Sequence, residues 1–312
     1  MEFKYNRVFL SMVNDTFDDS KNFIIEEGNR YIIRPLNEDQ PISKGGNSNV
    51  FKLINIENNI ERAIKISNYY RPRNKNESKK FGKKYNRFLS EIDALNDVKD
   101  KYDNIVQIDF DGVLELSEKE FPFYVMEKAD IDLKEYLHNN TDLDIQERFR
   151  LCRDIFYALK NLHEENIYHR DIKPDNILLF LNNDTFKWKI GDLGLIKYRD
   201  IDYDDIGERI GPFGWISPEA MNKYLTEKTD LGFDCKIDLS SDIFMLGKLY
   251  WFIFNLNAPI GIINEKDFNY TFNLSSLFFD LIYQMLNYSK NLRAKQAEVE
   301  YYIEYIAKEL FI

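Results

Sequence analysis

Between residues 167 and 180 the chain reads IYHRDIKPDNILLF, a histidine and several charged side chains gathered between two apolar strips. The strips, Ile167-Tyr168 and Ile177 to Phe180, have the pattern of short buried strands around a polar loop. Pro174-Asp175-Asn176 is good turn chemistry, so the bland reading is a surface turn; the sharper one is a loop whose carboxylates and amide act together. Two other places could do chemistry. In ISKGGNSNVF, residues 42–51, the small residues Ser43, Gly45, Gly46 and Ser48 precede Val50 in a hairpin-like stretch. Such a turn lets backbone N–H groups approach a phosphate closely, although most glycine-rich hairpins are only hairpins. In RAIKI, residues 62–66, Lys65 stands in the middle of an apolar strand. It either points at water or is a cation aimed inward, and the second case requires a carboxylate partner. Glu91, on a predicted helix, is the candidate, with Leu95 one turn further on the same face.

The elements that must position these residues change in texture once along the chain. From about residue 30 to 128 the apolar runs are short and strand-like: 31–33, 49–54, 63–66, 105–108 and 121–126, interrupted by one helical stretch at 88–98. After Ala129-Asp130 the pattern turns helical, at 133–138, 145–165, 241–255, 274–286 and 294–310, with hairpin strands only around 167–180 and 188–190. This predicts an α+β, bilobal architecture: residues 1–29 as an N-terminal extension, 30–128 as a small antiparallel β lobe with one helix, and 129–312 as a larger, mainly helical lobe. Two such units should touch across a cleft, where ligands favour binding. At 312 residues with 44% hydrophobic side chains there is enough material for both cores. The formal charge of −11 argues against a nucleic-acid or anionic-membrane partner bound through the overall field. The two cysteines, Cys152 and Cys235, lie in apolar surroundings, which points to a reducing compartment rather than a disulfide framework. The first residues hold no signal-peptide core, and the greasiest stretch, 243–256, is interrupted by Lys248 and too short to span a bilayer, so a soluble cytoplasmic protein is expected.

The order of segments resembles the eukaryotic-type (Hanks-type) Ser/Thr protein kinase catalytic domain. The resemblance is carried by the loop at 43–50, AIK at 63–65, HRDIKPDN at 169–176, DLG at 192–194, SPE at 217–219, Asp242 and Arg293, and it covers about residues 30–310. It implies a transferase that uses ATP and Mg²⁺, a reaction that asks mainly for positioning and charge neutralisation. Asp171 would orient the attacking hydroxyl and take its proton. Asn176 and Asp192 would give Mg²⁺ hard oxygen ligands, and Lys173 would stabilise charge on the transferred phosphate. Lys65, paired with Glu91, would hold the inner phosphates under the loop of Ser43, Gly45, Gly46 and Ser48. Val50, Ala63 and Leu178 would sandwich the adenine, and Met126, Glu127 and Ala129 would border it at the hinge. Leu95, Ile108, His169 and Leu193 would form a hydrophobic column, with Leu193 where phenylalanine is commoner. Glu219 and Arg293 would form a buried ion pair, and Asp242 would tie the catalytic loop to the central helix. His169 reads as a packed core histidine, and zinc is improbable with so few His and Cys.

Lys173, two residues past Asp171, is the arrangement that Ser/Thr kinases carry, which favours a protein Ser/Thr acceptor, autophosphorylation included. In GPFGWISPE, residues 211–219, Pro212 stands where the family usually has a threonine bracing Asp171 and Lys173. The chain is longer than the family norm over 220–241 and shorter over 255–273. No Ser or Thr lies between Asp192 and Ser217; the stretch holds Tyr198, Tyr203 and the acids Asp200, Asp202, Asp204, Asp205 and Glu208. These acids either replace a phosphate as partners of Arg170 or form a solvated acidic loop. The basic stretch 71–84 reads as a solvated approach to a helix rather than a docking patch. The alternatives to a protein kinase are a small-molecule kinase of related fold and a weakly active nucleotide-binding scaffold. The sequence names no physiological acceptor and fixes no oligomeric state.

Overall fold

The computed structural model describes residues 1–37, 46–182, 185–199, 201–229, 231–270 and 272–312. Its chain divides into two compact units, residues 1–101 with 106–129, and residues 102–105 with 130–312.

The first unit is built on antiparallel strands. Two small hairpins come first, β1 (Glu2–Lys4) with β2 (Arg7–Phe9) and β3 (Met12–Val13) with β4 (Thr16–Phe17). A six-stranded sheet follows, made of β5 (Phe23–Glu26), β6 (Asn29–Arg34), β7 (Ser48–Asn55), β8 (Glu61–Ser67), β9 (Ile108–Leu116) and β10 (Lys119–Met126) in the order β5-β6-β7-β8-β10-β9. Along β7 burial alternates residue by residue, the period-2 mark of a strand with one face in the core. That core holds Val8, Ile33, Phe51, Leu53, Ile64, Phe121 and Val125. The first residues are sewn to it. The amide of Val8 donates to Asn68 Oδ1 at 3.0 Å, and Asn49 Nδ2 donates to the Val8 carbonyl at 2.7 Å.

Helix α1 runs from Lys75 to Val98, thirteen residues earlier in its start than the apolar spacing predicts. Asn74 caps it by accepting from the amides of Asn76 and Glu77. Its first half offers little but Phe81 to an apolar face, so the cap was the only readable start signal, and much of the basic stretch 71–84 is this helix. The run expected as a strand at 105–108 is also different. Strand β9 begins at Ile108 and continues to Leu116; after buried Ile108 it alternates exposed and half-buried residues, with charged side chains on the exposed face that hid it.

The second unit is mainly helical. Strand β11 (Ile131–Asp132) pairs with the hairpin β13 (Ile177–Asn182)–β14 (Thr185–Ile190), and β12 (Ile167–Tyr168) pairs with β15 (Lys197–Tyr198). The helices are α2 (Leu133–Asn139), α3 (Ile145–Glu164), α4 (Pro218–Thr226), α5 (Leu239–Asn255), α6 (Ser275–Met285) and α7 (Gln296–Glu309). Helix α5 is buried along nearly its whole length, so it is the axis about which the unit packs. Helix α4 had no expectation attached, although Ser217 as cap, Pro218 at the first position and Glu219 in the first turn announce it. Together the antiparallel sheet and the helical part make the α+β composition that the sequence implied.

Both cysteines are free, Cys152 buried and Cys235 partly so. Among the described residues no helix is long and apolar enough to cross a membrane.

Candidate active site

In the first unit the sheet register sets the site. Val50 lies opposite Lys65, and Lys65 opposite Tyr124; Ala63 lies opposite Met126. Residues directly across a ladder, and those two apart along a strand, share a face, so Val50, Ala63, Lys65, Tyr124 and Met126 project from one side of the sheet. Ala63 is buried, while Val50 and Met126 are half-buried. Lys65 is 4% exposed, and its Nζ lies 2.6 Å from Glu91 Oε1. Glu91 sits on α1 among Phe88, Ile92 and Leu95, a spacing that brings one helix face onto the sheet. The sequence did not suggest the third member: the Tyr124 hydroxyl donates to the same Glu91 oxygen at 2.9 Å. Nothing in the chain before 124 marks that tyrosine; only the strand register reveals it.

Glu127 and Ala129 follow β10 and are half-buried. The Glu127 amide donates to the Gln107 carbonyl at 3.1 Å, and the Gln107 amide donates to Glu127 Oε1 at 2.7 Å. This locks the start of the segment and commits the Glu127 N–H. Gly46 is exposed and Ser48 opens β7. Ser43 and Gly45 lie outside the described residues.

In the second unit the charged loop lies between β12 and β13. Asp242, near the start of α5, holds it by two backbone bonds, accepting the His169 amide at 2.8 Å and the Arg170 amide at 2.7 Å. Its Oδ2 also meets His163 Nε2 at 3.0 Å. Arg170 adopts φ +66°, a left-handed conformation that costs a side-chain-bearing residue energy and persists where the surroundings impose it. His169 is fully buried, with Nε2 3.0 Å from the Gly191 carbonyl.

Asp171 is 5% exposed. One of its oxygens, Oδ2, accepts from Lys173 Nζ at 2.7 Å and from Asn176 Nδ2 at 3.0 Å. The other, Oδ1, is buried with no hydrogen-bond partner among the described residues. Burial pushes the Asp171 carboxyl above its usual range, the nearby Asp192 charge adds to this, and Lys173 opposes it. Asn176 also donates to the Asp171 carbonyl at 2.8 Å, so its amide hydrogens face Asp171 and its oxygen is the end left to accept. Asp192 is exposed, also at positive φ, and accepts the Gly194 amide at 3.3 Å. Leu178, on β13, is half-buried. Among the described residues no group of three His, Cys, Asp or Glu side chains could hold a metal by itself.

The second unit holds two further buried ion pairs. Arg293 Nη2 lies 2.7 Å from Glu219 Oε1, both side chains being almost fully buried, and Ser241 Oγ donates to Glu219 Oε2 at 3.0 Å. Arg170 Nη2 donates to Asp204 Oδ1 at 2.6 Å and Nε to the Leu195 carbonyl at 2.7 Å. Asp202 stands 3.7 Å from Arg170 Nη1, and Lys223 Nζ is 4.0 Å from Asp204. Asp204 is tucked away, with a side chain 2% exposed against 43% for Asp202. Asp200 lies outside the described residues.

Known proteins are similar to this chain in sequence. The chain is 31% identical over 254 residues, 80% of its length and 50% of the relative's, to "Serine/threonine-protein kinase cds1" of Schizosaccharomyces pombe. It is 27% identical over 243 residues, 73% of its length, to "MAP kinase-interacting serine/threonine-protein kinase mnk-1" of Caenorhabditis elegans. It is 28% identical over 185 residues, 56% of its length, to "Inactive serine/threonine-protein kinase/endoribonuclease IRE1-like" of Arabidopsis thaliana. The chain spans 32%, 31% and 50% of the IRE1-like, mnk-1 and cds1 relatives. The protein kinase domain profile matches residues 36–302, which encloses the Lys65–Glu91 pair, the 169–176 loop and the Glu219–Arg293 pair, and the chain therefore belongs to the protein kinase domain family.

Proposed function

We propose that the protein transfers the γ-phosphate of ATP to Ser or Thr hydroxyls of protein substrates, its own chain included. The observation that carries this reading is Asp171: one carboxylate oxygen is fixed by Lys173 and Asn176, and the other is buried and bare. A carboxylate that has lost its hydration and has one oxygen open is arranged to accept a hydroxyl proton, which contributes about 10²- to 10⁴-fold to a rate. Lys173, already 2.7 Å from Asp171, is the cation for charge gathering on the transferred group. Lys65, fixed by Glu91, is the cation for the inner phosphates. Val50 and Ala63, on one side of the sheet, offer apolar surface for a purine ring, and Met126 to Ala129 the backbone groups that follow it.

The donor set suits Mg²⁺. Asn176 presents an amide oxygen and Asp192 an exposed carboxylate, both hard ligands, and a six-coordinate ion held by only two side chains takes its remaining ligands from phosphate and water. When bound there, it would neutralise phosphate charge. Lys173 supports a Ser/Thr rather than a Tyr acceptor, as do the names of the relatives. One relative is described as inactive, so activity itself is the first thing to measure. The purified protein, with labelled ATP, Mg²⁺ and a generic basic protein, should place label on Ser or Thr, and Asp171→Asn should abolish it. Label on a small molecule, or label undiminished in Asp171→Asn, would overturn the reading.

A further inference from the structure

Helix α5 carries two charged side chains, Asp242 and Lys248, and Asp242 is accounted for by the catalytic loop. Lys248 is not. It is 8% exposed in the middle of the most buried helix of the unit, and it forms no ion pair among the described residues. Its Nζ donates to the Gly214 carbonyl at 2.7 Å and to the Pro259 carbonyl at 3.1 Å, and lies 5.5 Å from the Phe244 ring centroid. Methionine would fill the same space without the cost of burying an ammonium group. The lysine is thus placed by what it holds.

What it holds is the 211–217 loop. Gly211 and Gly214 both adopt positive φ, +93° and +89°, conformations that side-chain-bearing residues avoid. The amides of Trp215 and Ile216 both donate to the Pro212 carbonyl, so the loop is a tight turn on its own backbone. A Cβ at Gly211 would stand 3.5 Å from the Arg170 carbonyl, which puts the start of the loop against the catalytic loop. Pro212 has no hydroxyl with which to reach Asp171 or Lys173. Beneath the loop, Trp215 packs on Phe252 of α5 with ring centroids 5.8 Å apart, and Lys248 grips Gly214 from the same helix.

We propose that Lys248 is a positioning residue that fixes the 211–217 loop for acceptor binding, in place of a bond from the loop to the catalytic aspartate. This rests on the kinase reading above, in which the acceptor hydroxyl meets Asp171, the residue that follows Arg170, against whose carbonyl the loop begins. Burial alone lowers Lys248 to about 8. The segments 211–216 and 257–263 hold no ionisable side chain, Asp280 and Tyr283 of α6 are exposed, and the buried charged groups on the neighbouring helices are paired elsewhere. Glu219 is with Arg293, Lys223 with Glu227, Asp242 with His163 and the loop amides, and Arg148 with the Ile253 carbonyl. Above about pH 8 the lysine therefore loses its charge, and the neutral amine, though it keeps two hydrogens for its two carbonyls, donates to them more weakly.

The test compares wild type, Lys248→Met and Lys248→Arg by steady-state kinetics and by backbone hydrogen exchange of the 209–217 segment. Lys248→Met should raise the acceptor KM by at least about tenfold, the effect of losing bonds from a charged donor, with the ATP KM unchanged. It should also speed exchange in 209–217 while leaving helix α3 protected. Wild type should lose acceptor kcat/KM above about pH 8, and Lys248→Arg, which stays charged, should not. A Lys248→Met protein with wild-type acceptor KM and loop protection overturns the proposal. If that variant does not fold, wild-type exchange decides: no loss of loop protection above pH 8, beyond the intrinsic change in rate, overturns it equally. A wild type that transfers no phosphate removes the kinase reading, and the exchange arm then still tells whether Lys248 holds the loop.

Discussion

A carboxylate that buries one oxygen without a donor gives up hydration and recovers only part of it from its neighbours, which is why the Asp171 carboxyl is raised. The pH consequence has a definite sign. Between the usual 3.8 and the raised folded value, the folded chain holds a proton that the unfolded chain has lost, so stability falls as pH climbs through that window. At neutral pH the ionised aspartate is thus a cost to folding, and Asp171→Asn should melt no lower than wild type while losing about 10²-fold or more in turnover. Its advantage in melting should shrink as pH drops below 3.8, and thermal scans of both proteins at pH 3 and pH 7 would show whether it does. The Lys65–Glu91 pair behaves in the opposite way, because removing one partner strands the other. Lys65→Met should cost about 3 kcal/mol, the lower end for a broken buried pair because Tyr124 still donates to Glu91. Lys65→Met with Glu91→Leu should recover most of that; denaturant titration of single and double variants measures both, and a double variant as weak as the single one would contradict it. The two partners could be nominated from a lysine amid apolar strand residues and a glutamate on a helix face. Tyr124 could not, because a tyrosine in an apolar strand has many ordinary uses.

At the scale of elements, the described residues of 195–207 meet the catalytic loop through the β12–β15 pairing and through a knot around Arg170. Arg170 reaches Asp204 and the Leu195 carbonyl, Lys223 stands near Asp204, and Lys223 pairs with Glu227, whose other oxygen accepts the Gly207 amide at 2.7 Å. This stretch has no Ser or Thr to phosphorylate, and a carboxylate meets the arginine directly in a charge-assisted bond. Asp204→Asn should therefore lower turnover by about tenfold through a loosened segment, and Asp202→Asn by less, since its carboxylate is more exposed and further away. Phosphatase treatment of wild type, with no effect expected, separates a built-in carboxylate from a hidden modification. Equal effects at 202 and 204 would leave only a diffuse acidic loop. The ranking within the acidic run was not legible beforehand, because five acids in a loop look alike until the chain folds around one of them. Helices α5, α6 and α7 were legible within a residue or two from apolar spacing, whereas α4 and the first half of α1 were hidden: their start signals are caps, not periodicity.

Across the whole molecule, the α+β class was readable because the apolar period switches from strand-like to helical near residue 129, and the sheet and helices follow that switch. The first 29 residues were opaque because their contribution is to packing and not to chemistry: Val8 enters the sheet core, and its amide and carbonyl are claimed by two asparagines far along the chain. A ligand taken by the folded chain and not by the unfolded one stabilises all of it by RT ln(1 + [L]/Kd), about 2.7 kcal/mol at a hundredfold excess over Kd. For a chain of this size, ATP with Mg²⁺ at that excess should raise the melting temperature by about 5 °C. The increment divides by residue. Lys65→Met removes a cation for the phosphates and should reduce the shift with or without the metal. Asp192→Asn removes a hard carboxylate and should abolish only the extra shift that Mg²⁺ gives over ATP alone. Chelation by EDTA should bring wild type down to the Asp192→Asn value and leave that variant unmoved. A wild-type shift indifferent to Mg²⁺ would instead show that Asp192 and Asn176 serve the fold and not a metal.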